Sequence, residues 1–212
     1  MKTADLIADL ARDLKPVTAG AVARRLAAPL LVATAISAVA VVLWLGMRPM
    51  DQAVATSAFW MKGAYTLALA LAGGLLVQRL SRPGGAPGAG VWLAIAGLAA
   101  MGALAAGEFM LSPPSDRMGL WMGGSWNICP FRILALSAPV YAGLVLGMRR
   151  LAPTRPGLSG AAAGFLAGAV GATVYQLYCP ETGAMFVATW YTLGIVICTA
   201  VGGLLGLRAL RW

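Results

Sequence analysis

The sequence predicts an all-α protein: a six-helix transmembrane bundle with both termini in the cytoplasm and a short amphipathic N-terminal helix. Three observations predict it. Of the 212 residues, 60% are hydrophobic and 11% charged, and mean hydropathy is +0.81; a soluble domain of this length needs far more charged surface. The apolar residues fall in long uninterrupted runs rather than at helical or strand spacing, so lipid is the solvent for most of the chain. The basic residues are segregated in the way that alternating crossings require.

Six runs are long enough to span, at about 20 residues each. They cover residues 27–47, 59–80, 90–111, 130–148, 158–178 and 185–207. The connections carry turn chemistry: SRPGGAPGA at 81–89, LAPTRPG at 151–157 and CPETGA at 179–184, with the longest loop at 112–129. The first stretch is acidic and amphipathic, unlike a cleaved signal, so the first apolar run reads as a retained helix. The chain divides into a cytoplasmic tail, 1–26, and a transmembrane domain, 27–212.

Net charge is +9, from 16 Lys and Arg against 7 Asp and Glu. In a soluble protein that balance suggests nucleic acid; here its placement reports topology, and no direct nucleic-acid contact is expected. Lys2, Arg12, Lys15, Arg24, Arg25, Arg79, Arg82, Arg149, Arg150, Arg155, Arg208 and Arg211 share one side if six helices alternate. Arg48, Lys62, Arg117 and Arg132 take the other. The first side is therefore cytoplasmic. Trp44, Trp60, Trp121, Trp126 and Trp190 fall near the opposite, external ends, where an amphipathic ring suits the interface.

Histidine is absent, which removes the commonest metal ligand and acid–base group. There is no Walker loop, dinucleotide fingerprint, HExxH or CxxC. No span is interrupted by charge at mid-membrane, as a transporter or pump usually shows. An enzyme is not expected, nor a resident cofactor.

Three cysteines remain. Cys129 opens the fourth span in WNICP, Cys179 closes the fifth in YCPE, and each precedes a proline. The topology puts both on the external side. They form a disulfide if their Cα atoms come within about 7 Å, ligate a soft metal together, or are two unrelated small residues at helix ends. Cys198 lies inside the sixth span and reads as packing. Lys62, Glu108 and Arg132 sit at similar depth near the external ends of helices two, three and four. Either Glu108 bridges one of the two cations, or each snorkels separately to the headgroups. Met110, Met118, Met122 and Met185 near the same face read as apolar filler rather than a copper site.

Gly160, Gly164 and Gly168 recur at every fourth position, and Gly202 and Gly206 follow in the sixth span. This small-xxx-small pattern marks close helix packing. In the tail, Leu6, Ile7, Leu10 and Leu14 form an apolar stripe, Asp5, Asp9 and Asp13 an acidic ladder, and Pro16 ends the pattern. Such a short helix is marginal alone. Its stripe suits a partner's groove, and its aspartates suit basic surface. Three aspartates disfavour an anionic leaflet.

TADLIADLARDLKPV, FWMKGAYTLALA, SWNICPFRILALSAP, RRLAPTRPGLSGAAAG and YCPETGAMFVATWYTLG, in this order, resemble the NrsF family of bacterial membrane anti-sigma factors. The resemblance runs the whole chain, and its two Cys-Pro segments are the most specific part. It implies a six-helix, multi-pass protein of the bacterial inner membrane. Such a protein holds an extracytoplasmic-function (ECF) sigma factor at the cytoplasmic face and releases it under oxidative or heavy-metal stress. The family's sensing cysteines fall on Cys129 and Cys179, where an oxidant or a metal acts transiently. The family commonly has HCPE where this chain has Tyr178-Cys179-Pro180-Glu181; losing that histidine weighs against direct metal chelation more than against thiol oxidation. The tail is the expected sigma-binding element. The alternative from another class is a small membrane thiol oxidoreductase coupled to quinone, with Cys129 and Cys179 as its redox pair and no cofactor motif to support it. A small transporter ranks third.

Overall fold

The structure is a computed structural model that describes Thr3, Asp5, Ile7, Ala11 and residues 20–211. The described chain is helical throughout, with no strand among these residues. Six helices are long and apolar enough to cross a membrane: α1 Ala21–Leu45, α3 Ser57–Leu80, α4 Ala89–Leu111, α6 Cys129–Leu151, α7 Pro156–Tyr175 and α8 Ala184–Ala209. Two short helices, α2 Met50–Val54 and α5 Pro114–Met122, lie in the first and third connections, which the sequence reading left as loops.

The helices alternate in direction, and two ends result. At one end Arg149 Nε donates to the Ala209 carbonyl, Gly84 N–H to Thr154 Oγ1, and Ser159 Oγ to the Leu80 carbonyl. This end collects Arg25, Arg79, Arg82, Arg149, Arg150, Arg155 and Arg208. At the other end Arg48 N–H donates to Leu177 and Lys62 Nζ reaches the segment after α7. Among the described residues the segregation of charge expected from sequence is thus a segregation in space; Lys2, Arg12 and Lys15 lie outside them. Helix α1 begins at Ala21, earlier than the apolar run, because Val22 and Leu26 are buried. That places Arg24 and Arg25 on a helix rather than in the tail.

Helix α7 is the centre of the bundle: 67% of its most apolar stretch is buried, against 11% for α4 at the periphery. Its glycines explain why. A Cβ on Gly164 would run into the Cys198 carbonyl oxygen, and one on Gly160 into the Gly202 carbonyl oxygen. In α8, a Cβ on Gly202 would lie 2.7 Å from Gly164 Cα. The two backbones touch where the small residues face each other, so close dispersion contact holds the pair together. On the far side of α7, Gly73 of α3 meets Leu166, and Gly171 meets Ile133 and Ser137 of α6.

Candidate dithiol site

The site forms where the connection 112–128, before α6, meets the connection 176–183, after α7. Pro130 sits in the first turn of α6, where its missing N–H is harmless, and Cys129 N–H donates to the Ser125 carbonyl at 2.9 Å. After Tyr175 the chain continues in tight turns, and Cys179 N–H donates back to the Tyr175 carbonyl at 3.1 Å. Pro180 ends that turn. Cys129 and Cys179 are both fully buried and both free. They belong to one buried cluster with Tyr175, Phe186, Val187 and Tyr191, and the two thiols lie within electrostatic range of each other and of Lys62.

Three polar devices hold this arrangement. Lys62 is fully buried on α3, and its Nζ donates to the carbonyl oxygens of Cys179 at 3.0 Å and Glu181 at 2.6 Å. An ammonium is strongly disfavoured in an apolar interior unless such acceptors meet it. The Glu181 carboxylate reaches across to the other connection and accepts from Gly124 N–H at 2.9 Å and Ser125 Oγ at 3.0 Å. Gly123 makes that approach possible: its φ is +57°, and a Cβ there would lie 2.8 Å from the Glu181 carboxyl carbon. Glu108, on α4, accepts from Met185 N–H at the start of α8 at 2.7 Å.

Of the two arrangements left open by the sequence, the bridge from Glu108 to Lys62 or Arg132 is not found, and Lys62, fully buried, does not snorkel either. All three residues lie at the end opposite the arginine cluster, but each is met separately. Lys62 takes backbone carbonyls and Glu108 takes a helix N-terminal amide, where the dipole favours a carboxylate. The Arg132 guanidinium lies over the Tyr178 ring, 4.8 Å from its centroid. For Lys62 and Glu108, backbone groups outcompete a charged side chain because they are already in place and lose no rotamer freedom.

A lid of aromatic rings closes one side. Trp190 Nε1 donates to the Trp121 carbonyl at 2.8 Å, Trp121 Nε1 donates to Thr189 Oγ1, and the rings of Trp121 and Trp126 pack on Trp190. Three of the tryptophans read as interfacial anchors thus join α5, α8 and the loop before α6. Tyr175 and Tyr191 wall the thiols, with ring centroids 5.7 Å apart and both hydroxyls buried beside the cysteines. Cys198 belongs to the same buried cluster but sits further along α8, its Sγ 3.2 Å from Ser137 Oγ between α8 and α6. Among the described residues no three or more of Cys, Asp, Glu or His gather as metal ligands.

Lys62 was singled out by its depth in the sequence, but its target was not. Glu181 was missed as a pin, although its place two residues after Cys179, in a loop with no other acid, was a usable signal. Of the tail residues, Asp5 and Ile7 are exposed; Leu6, Asp9, Leu10, Asp13 and Leu14 lie outside the described residues.

The fold and the site together define a class: six long apolar helices with an occluded pair of thiols at the end opposite a cluster of arginines. Comparison with known proteins narrows the class. Residues 10–212 match the family model described as NrsF, negative regulator of sigma F. The probable anti-sigma-F factor NrsF of Azospira oryzae and the anti-sigma-F factor NrsF of Caulobacter vibrioides are each 42% identical to the chain, over 100% of both lengths. The chain belongs to the NrsF family. No solved structure matches it.

Proposed function

We propose that this protein is an integral inner-membrane anti-sigma factor, regulatory rather than enzymatic. Its arginine-rich end and N-terminal tail face the cytoplasm and hold an ECF-type sigma factor. Its buried thiols at the external end sense oxidative stress and trigger release. Membership of a family of negative regulators supports the partner class. The observation that carries the sensing reading is the burial of Cys129 and Cys179 within electrostatic range of each other, on two segments tied together through Glu181.

In this reading an external two-electron oxidant of the hydroperoxide class takes two electrons and two protons from the thiols and leaves as alcohol and water. A bond forms between the sulfurs of Cys129 and Cys179. That bond links the start of α6 to the end of α7, and α7 packs against α3, α6 and α8. Re-packing the central helix shifts the population of two bundle arrangements. About 1.4 kcal/mol of coupling changes sigma affinity tenfold, so a small displacement suffices. Oxidation is favoured over metal ligation because only the two thiols converge here, with no third ligand of the usual types among the described residues.

Co-purification of a sigma factor with the detergent-solubilised protein, and its loss on deleting Met1–Pro16, tests the partner. C129S and C179S should each retain repression but fail to release on oxidant. Normal release in either variant overturns the sensing assignment. An oxidant-dependent intramolecular crosslink on a diagonal gel, absent in both variants, is the chemical readout.

A further inference from the structure

At the arginine-rich end, a cavity of about 630 Å³ opens between α1 and α6, lined by Arg25, Pro29, Leu146, Gly147, Arg149 and Arg150. We propose that it binds one anionic phospholipid, the phosphate on the guanidiniums and an acyl chain along Leu146 and Pro29. The proposal rests on the membrane placement above but not on the sensing mechanism.

The cavity exists because the two helices touch just beside it. A Cβ on Gly147 would lie 2.9 Å from Leu26 Cδ2, and one on Gly143 would lie 3.0 Å from the Pro29 carbonyl oxygen. That close crossing brings Arg25 of α1 to the same mouth as Arg149 and Arg150 of α6. Arg149 is held at the mouth by its Nε bond to the Ala209 carbonyl.

Among the described residues no acidic side chain lines the mouth. Asp51, Glu108, Asp116 and Glu181 belong to the opposite end of the bundle. The start of α1 and the end of α6 present opposite dipole ends here, so the three guanidiniums decide the sign. Guanidinium forks match phosphate oxygens in pairs, and basic pockets between spanning helices are a recurrent seat for anionic headgroups.

The lower wall selects a lipid over free phosphate. Leu146 is 62% exposed on the outer surface of the bundle, where acyl chains run. A headgroup alone would leave this apolar side unfilled.

Native mass spectrometry of the full detergent-extracted chain, titrated with phosphatidylglycerol, phosphatidylcholine or inorganic phosphate, tests the site. One phosphatidylglycerol should bind at least tenfold more tightly than phosphatidylcholine, with no phosphate adduct. R149Q/R150Q should abolish that preference, whereas R208Q/R211Q, with the same charge change outside the cavity, should keep it. L146W fills the apolar wall without altering charge and should also weaken phosphatidylglycerol binding. Equal losses in the two arginine pairs, full binding by L146W, or equal competition by inorganic phosphate each overturn the site. Retention of the chain in alkali-washed membranes checks the membrane placement separately. Protein retained there without lipid preference defeats this inference alone.

Discussion

Lys62 Nζ donates to the Glu181 carbonyl oxygen at 2.6 Å, while the Glu181 carboxylate holds Gly124 and Ser125. One residue of the 176–183 connection is thus gripped from α3 through its backbone and grips the 112–128 connection through its side chain. Cys179 and Cys129 stand at the two ends of this linkage, so their mutual position depends on groups that are neither thiol.

Replacing Lys62 by Met removes a buried charge but strands the carbonyls of Cys179 and Glu181. Each buried acceptor left unmet costs about 1–3 kcal/mol. K62M is expected to lower the thermal midpoint in detergent and to raise the alkylation rate of Cys179 at least about tenfold, since tenfold corresponds to about 1.4 kcal/mol of easier opening. An alkylation rate equal to that of the parent would separate Lys62 from the thiol site.

Glu181 offers a graded test. E181A loses both bonds to Gly124 and Ser125, and bonds to a charged acceptor contribute about 1.5–3 kcal/mol. E181Q keeps an acceptor oxygen of the same reach. Maleimide labelling of Cys129 should rise strongly in E181A and only weakly in E181Q; indistinguishable variants would mean that the carboxylate does not govern access.

Two helical glycines separate packing from propensity. G164L drives a side chain into the Cys198 carbonyl, and overpacking of this kind costs about 1–3 kcal/mol or more. Gly74 on α3 has open space where a Cβ would stand, and helical Gly→Ala gains up to about 1 kcal/mol. G164L should unfold at markedly lower temperature or fail to accumulate, whereas G74A should match or exceed the parent. The reverse order would contradict the α7–α8 contact.

Cys198 is the internal control for thiol chemistry. C198A loses only the contact with Ser137 and a small buried volume. It should retain oxidant-dependent crosslinking between the remaining cysteines and normal release. Loss of the crosslink in C198A would implicate the α8 thiol and displace Cys179 or Cys129 from the pair.

The six long helices were legible in the chain because the length and apolarity that a membrane crossing demands form a single long-range requirement: about 20 apolar residues with every backbone bond closed internally. Their order and the segregation of arginines follow from the same requirement, and the glycines at 160, 164 and 168 announced a close contact through spacing alone. The additional turn and a half of α1 was not legible, because Ala21–Arg25 becomes helical only when Val22 and Leu26 have α6 to pack against. Nor were α2 and α5, which are too short to carry a periodic signal.

The amino-acid sequence alone determined how many helices form, which ends share a side and which two cysteines share a Pro-flanked context. Tertiary structure decided what each charge meets. Lys62, Glu108 and Arg132 lie at one depth, yet they find two carbonyls, an amide and a tyrosine ring instead of one another. The reason is physical: depth follows from counting residues along a helix, whereas partner choice depends on which groups of distant segments arrive already fixed within hydrogen-bond reach. That is known only once the helices have packed.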